Sequence, residues 1–297
     1  MLVPMKEIVD TAYEGKYGVP AVPAFNEFLI RAAIEAAYEA NSPMIFLTTN
    51  RGDPAFTNSI VHYFAEKIDV PIALCLDHGR SFEDCIKGLK TGCTAIMADR
   101  SILPYDENVA QVKLLADIAH AAGLSIEGEI GHVGRGENYA IDGVSNLTEP
   151  TWAKRYIEET GVDCLAVAVG TAHGVYTGTP KLDFDRLGEI DAICKTPLAL
   201  HGGSGSGDEN INKACKMGIA KVNIVTDIII ANYQAVLDGD FSGNRAHGLF
   251  HAITESTKKS VLRCFEITGS TGKAKPVKRP GLIIEKFPFH RENTEER

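Results

Sequence analysis

The stretch IALCLDHGRSFEDCIKGLKTGCTAIMAD, residues 72–99, decides the fold. It opens with an apolar, β-rich run that stops at Asp77, His78 and Gly79. An amphipathic segment of helical period starts at Ser81, and TAIMAD (94–99) is a second short β-rich run. Strand, helix and strand in so short a span form a βαβ unit, whose helical crossover makes the two strands parallel.

Working outward, the same alternation recurs. Apolar runs bounded by Gly, Pro, Asp or Asn occur at VPAVPAF (19–25), MIFLTT (44–49), SIEGEIG (125–131), CLAVAVG (164–170), PLALHG (197–202) and AKVNIVT (220–226). Helical segments lie between them, for example Glu27–Ala40, Glu107–Ala122 and Thr151–Thr160. With IALCLDH and TAIMAD this makes eight strands. Eight βα units predict an α/β fold of the (β/α)8 TIM-barrel type, in a single domain of residues 1–274. The alternative is a doubly wound sheet. It is disfavoured because reactive residues end at least six strands, whereas an open sheet gathers its site near one switch point.

Two regions exceed the minimal barrel. Residues 132–149 form a long polar loop after the fifth strand, the expected place of a functional lid. A C-terminal extension is expected to be helical over Asp227–Leu237, with a helical pair over residues 245–268. A Pro- and charge-rich tail then covers 275–297.

Bulk properties narrow the function. The 297 residues carry a net charge of −9 and no long basic run, so nucleic acid is excluded as the main partner. No apolar run is long enough to span a membrane. The seven cysteines are odd in number and form no CxxC pair, which points to reduced thiols and a cytoplasmic protein.

Three histidines end three of the apolar runs: His78 in IALCLDHG, His173 in CLAVAVGTAHG and His201 in PLALHGGSG. Imidazoles converging from separate strands suit a catalytic zinc site, where three protein ligands leave a fourth position open. The alternative is three strand-end histidines with unrelated jobs. Asp77 adjoins the first histidine, and Gly79 lets the chain turn so that both side chains reach the mouth. Asp77 is then a candidate general acid/base; its alternative is a cap for the helix from Ser81. Gly202, Gly203 and Ser204 precede a helix expected near Asp208, and their N–H groups suit a phosphate. Asn223 and Thr226 end the eighth strand and could complete that cradle, or Asp227 could simply cap a helix. Asp99 and Glu129 end the fourth and fifth strands, as supports or as an alternative metal position. Glu137 sits on the lid, but spacing alone does not single it out. The remaining histidines, His132 among them, read as surface or core residues.

These pieces together resemble the class II ketose-bisphosphate aldolases, which include fructose- and tagatose-bisphosphate aldolases. The likeness runs from about residue 5 to 274 and rests on LDHGRSFEDC, MADRSILPYDEN, EGEIGHVGRGEN, TGVDCLAVAVGTAHGVY, LHGGSGSGDENI and GIAKVNIVTD. It implies a metal-dependent lyase releasing dihydroxyacetone phosphate from a phosphorylated ketose, usually as a homodimer or homotetramer. By position, His78, His173 and His201 look like the Zn2+ ligands, with Asp99 and Glu129 at a second, non-productive metal position. Asp77 matches the group that exchanges a proton with the C4 oxygen, and Glu137 the lid glutamate that exchanges one at carbon. Gly174, Gly202 and Ser204 match positions around the phosphate and a monovalent cation (Na+ or K+). Asn223 and Thr226 match the dihydroxyacetone phosphate half. Asn26, Thr49, Gly203 and Asp227 complete the substrate-binding set.

The departures concern substrate. Arg51 follows the second strand, Arg100 replaces a small residue, and Arg135 stands where the family has paired glycines. An aldehyde half bearing a carboxylate, a sulfonate or no phosphate is therefore an alternative to the bisphosphates. A non-catalytic sugar-phosphate-binding subunit, or an isomerase or epimerase, are the competing functions. The intact Asp77, Glu137 and histidine set speaks against the first of these.

Overall fold

The computed structural model describes residues 1–138 and 147–275. Eight parallel strands close in sequence order into a barrel: β1 (Val19–Pro23), β2 (Met44–Thr48), β3 (Ile72–Gly79), β4 (Ala95–Ala98), β5 (Ser125–Ile130), β6 (Cys164–Val167), β7 (Leu198–Leu200) and β8 (Ile219–Asn223). Every expected strand is present, and each crossover carries a helix. These are α2 (Glu27–Glu39), α3 (Pro54–Ala65), α4 (Phe82–Lys90), α5 (Tyr105–Ala121), α6 (Pro150–Thr160), α7 (Phe184–Cys194) and α8 (Asp208–Lys216), numbered after an N-terminal α1 (Met5–Glu14). The outer strand faces and the helices share one apolar core, in which Ile30, Phe46, Leu74, Leu165 and Leu200 are buried. The lumen holds a second cluster, and Met5, Ile8 and Val9 of α1 join it, closing the bottom of the barrel. The mouth is thus the open end.

The C-terminal extension departs from the expected helical pair. After α9 (Thr226–Asp238), a 3-10 turn (Gly243–Gly248) leads into one 20-residue helix, α10 (Leu249–Thr268). A single amphipathic helix suffices because α10 packs along both α2 and α9. The tail from residue 276 and residues 139–146 of the lid lie outside the described residues. Among the described residues no helix is long and apolar enough to cross a membrane.

Candidate functional site

The turn after β3 is the local device on which the site depends. His78 has φ +50°, a left-handed conformation that costs an L-residue roughly 1–2 kcal/mol. The twist there, with a register shift between Leu76 and Gly79, breaks the strict alternation of β3. Asp77 and His78 therefore both face the mouth, with Asp77 Oδ1 4.0 Å from His78 Nε2. The alternative job for Asp77 is taken by Ser81, which caps α4 in a reciprocal pair with Asp84.

His78, His173 and His201 converge. His78 Nε2 lies 3.1 Å from His173 Nε2 and 3.2 Å from His201 Nδ1, and the last two are 3.3 Å apart. The other nitrogen of each ring faces an oxygen: Asp99 Oδ2 for His78 at 2.8 Å, the Val133 carbonyl for His173 at 3.2 Å, and Glu127 Oε1 for His201 at 2.8 Å. Because those oxygens accept, the outer nitrogens donate, and once His78 gives up its second proton the three inner nitrogens present lone pairs to one another. Their spacing matches the edge of about 3.3 Å that a tetrahedron with zinc–nitrogen bonds of about 2.0 Å would have. The donor set fits a zinc ion.

Charge around the three rings is unequal. Burial pushes His201 well below its ordinary pKa, and the Lys221 ammonium acts the same way. Burial and a charged His78 also lower His173. Burial opposes the charge on His78 too, but the Asp99 hydrogen bond and the charges of Asp77 and Glu129 outweigh it and raise His78 to about 9. In turn, His78 and the Ser101 donors hold the Asp99 carboxyl well below the usual range, against its burial. Burial, with the Asp99 charge beside it, raises Glu129 to about 7.

A second group of three, His78, Asp99 and Glu129, could also hold a metal. His132 joins it: Ser101 Oγ lies 3.0 Å from His132 Nδ1, and Glu129 Oε1 lies 3.9 Å from that nitrogen. In the sequence alone His132 reads as a surface or core residue, and the structure places it at the mouth. Its place just after β5 was the signal that it could reach the mouth.

Beneath the histidines lie two charged residues the sequence reading missed. Glu127 on β5 and Lys221 on β8 are both 0% exposed. Their signal is strand alternation: Ser125, Glu127 and Glu129 share the inner face of β5, as Lys221 and Asn223 share that of β8. Lys221 Nζ lies 2.9 Å from Glu127 Oε2 and donates to Glu127 Oε1 at 3.2 Å and to Asn223 Oδ1 at 2.7 Å. Asn223 Nδ2 in turn donates to Asp77 Oδ1 at 3.2 Å. A lysine inside an enzyme barrel invites a Schiff-base reading, but burial here is outweighed by the Glu127 charge, which raises its pKa above normal. A nucleophilic amine needs the opposite shift.

The β7–β8 side carries the anion cradle. Gly202 has φ +66°, and a Cβ there would collide with the Ala172 carbonyl, so glycine is required. One expected donor is already spent: the Gly203 N–H donates to the Asn223 carbonyl at 3.1 Å. Among the described residues no protein acceptor takes the N–H of Gly202 or Ser204. The Ser204 hydroxyl accepts from the Asp227 N–H at 3.1 Å, at the start of α9. Asp227 is not the helix cap: Val225 occupies that position, and the Asp227 carboxylate accepts from the Gly205 N–H at 3.4 Å. Thr226 opens the same helix. Asn26 caps α2 through the Leu29 N–H, and Thr49 Oγ1 accepts from the N–H of exposed Arg51 at 3.4 Å. These three lie after β1 and β2 and do not line the cavity beside His78 and His173.

A cavity of about 620 Å3 opens beside His78 and His173, lined also by Gly174, Arg80, Arg100, Arg135 and Glu137. Glu137 is 68% exposed and pairs with Arg135 at 3.7 Å. Arg100 is buried, and its guanidinium braces the turn by donating to the carbonyls of Gly79 and Asp99 and to Gln111. The lid root is tied to the His173 loop: the His173 N–H donates to the Gly134 carbonyl, and the Gly136 N–H to the His173 carbonyl.

Residues 3–273 match the family model described as fructose-bisphosphate aldolase class-II. Among solved structures, the chain is similar to the YdjI aldolase of Escherichia coli K12, with 30% identity and a TM-score of 0.83 over 93% of this chain and 100% of that one. It also shares the fold of fructose-bisphosphate aldolase (Fba) from Campylobacter jejuni, at 23% identity and a TM-score of 0.75 over 92% of this chain and 97% of that one.

Proposed function

The chain belongs to the class II fructose-bisphosphate aldolase family, and from that premise we propose a zinc-dependent lyase that reversibly cleaves a phosphorylated ketose, of the fructose or tagatose 1,6-bisphosphate type, into dihydroxyacetone phosphate and an aldehyde. The observation that carries this reading is the triangle of imidazole nitrogens, 3.1–3.3 Å on a side, with Asp77 4.0 Å from one corner. Zinc held by His78, His173 and His201 would supply Lewis acidity toward the substrate carbonyl, so that no Schiff base is needed.

The chain's own groups do the rest. Asp77, held by Asn223, takes the proton from the hydroxyl on the carbon that becomes the aldehyde, and returns it in the reverse direction. Glu137 exchanges the proton at the carbon nucleophile once the lid excludes water. The substrate phosphate rests on the N–H groups of Gly202 and Ser204 and on the start of α9, where backbone dipoles favour an anion. Gly174 and a monovalent cation, Na+ or K+, complete that end. Asp99 and Glu129, with His78, form the second metal position.

The arginines favour a second reading of the substrate. Arg80 and Arg135 line the cavity beside His78 and His173, where Arg100 is committed to the carbonyls of Gly79 and Asp99. An aldehyde half ending in a carboxylate or sulfonate would meet forked donors there. A homodimer or homotetramer is supported by exposed Ile230, Tyr233 and Leu237 of α9 and by Phe250 of α10. A cytoplasmic location agrees with seven free cysteines.

The test is dihydroxyacetone phosphate release from a panel of 1-phosphorylated ketoses, with and without chelator. Fructose and tagatose bisphosphates would be set against analogues ending in hydroxyl, carboxylate or sulfonate. Chelator-sensitive release is expected, and its absence from every substrate with metal bound would reject the aldolase reading.

A further inference from the structure

We infer that the buried Glu127–Lys221 ion pair is a positioning device, which fixes at once the tautomer of His201 and the rotation of the Asn223 amide that holds Asp77. This rests on the aldolase reading for the role of Asp77, while the His201 half stands on the metal site alone.

A buried ion pair is a poor filler for a barrel lumen. Branched apolar side chains usually occupy those layers, and replacing a buried pair with them is often neutral or stabilising. Here the ammonium donates to Glu127 Oε1 and to Asn223 Oδ1, and Glu127 Oε2 lies 2.9 Å from it within the ion pair. An ammonium can only donate, so the amide oxygen of Asn223 must face it. That leaves Nδ2 facing Asp77 Oδ1 at 3.2 Å. Flipping the amide would set N–H groups against the ammonium and the amide oxygen against the carboxylate, two repulsive contacts in one move.

The same logic runs toward the metal ligands. The Glu127 carboxylate can only accept, so His201 Nε2, 2.8 Å away, carries the hydrogen and Nδ1 keeps its lone pair toward His78 and His173. Glu127 and His201 are both 0% exposed, so no water competes for this bond. One ion pair therefore sets the orientation of a metal ligand just past β7 and of the acid/base group on β3.

Two variants and three readouts test it. Lys221→Met frees the Asn223 amide and should lower kcat for carbon–carbon cleavage by about 100-fold, the scale of losing a positioned acid/base. It should change proton exchange at the nucleophilic carbon of dihydroxyacetone phosphate, which uses Glu137, less than about threefold. Glu127→Gln should weaken zinc binding by about 10–100-fold, read by competition with a chromophoric chelator. A pair that merely fills space would lower exchange and cleavage in equal proportion, or leave zinc affinity at the wild-type value, and either result overturns the inference. If a single variant leaves a lone buried charge and does not fold, E127Q/K221M, which buries none, is read against the same outcomes. Failure of the wild type to exchange or cleave would reject the aldolase reading, and the zinc titration would still decide the His201 half.

Discussion

At the scale of single residues, the three imidazoles differ in how they meet a metal. Burial leaves His173 and His201 neutral, whereas His78, raised to about 9 by its carboxylate neighbours, keeps a proton that metal must displace. Apparent zinc affinity should therefore rise about tenfold per pH unit between about 7 and 9 and then level off. A chelator-competition series across that range checks it, and a slope near three or near zero would be the wrong answer. The metal-free protein carries the matching stability term. A raised histidine contributes fully below its unfolded value, about 6.5, and loses that contribution as pH climbs through about 9. Asp99, held low, contributes above its unfolded value, about 4, and loses it as pH falls further. The backbone at His78 allows a cleaner substitution. Asn tolerates a left-handed φ and its amide can still donate to Asp99. His78→Asn should abolish tight zinc binding while moving the metal-free melting temperature by only a few degrees. The histidines were legible in the sequence because each closes an apolar run, with glycine next. Glu127 and Lys221 were not, because a charge inside a β-rich run is recognised only once the inward face is known.

At the scale of elements, the strands were legible because a parallel barrel buries both faces and reads as short apolar runs. The connections were less so. Residues 245–268 looked like two helices, yet α10 runs unbroken because α2 and α9 give it continuous support. Gly203 looked like a phosphate donor from its place in a glycine run, but its N–H is consumed by β8. Backbone hydrogen bonds between distant loops leave no mark in a local sequence pattern. The ladder between residues 134–136 and His173 is of that kind. A Cβ on Gly136 would lie 2.6 Å from the Val175 carbonyl and 3.2 Å from that of His173, so the ladder requires glycine. Gly136→Ala should therefore shift the lid root and lower kcat by at least tenfold, with circular dichroism and zinc affinity close to wild type. Wild-type turnover in that variant would show that the ladder does not position Glu137.

For the molecule as a whole, the metal is expected to stabilise the fold as well as drive the chemistry, since its ligands come from three different strand ends. Chelation should lower the melting temperature reversibly, and zinc at 100 times its dissociation constant should restore about 2.7 kcal/mol. An unchanged melting curve would mean that the site binds no metal tightly. The assembly makes a separate prediction. Tyr233 is exposed on α9 within an apolar stripe, so Tyr233→Asp should shift the mass measured by sedimentation toward the monomer. A wild type that sediments as a monomer would remove that reading.

The placement of the parts also bears on how such an enzyme can change over generations. Asp77, His78, Glu127, Lys221 and Asn223 stand on strands, locked by neighbours on both sides. Arg80 and Arg135 stand on loops at the rim of the cavity beside His78 and His173. Substitution at Arg80 can therefore alter which aldehyde is accepted without touching the groups that move protons or grip the phosphate, whereas Arg135, paired with Glu137, cannot change so freely. Selection can explore new sugars by editing the loop after β3, while the strands carry the inherited reaction forward unchanged.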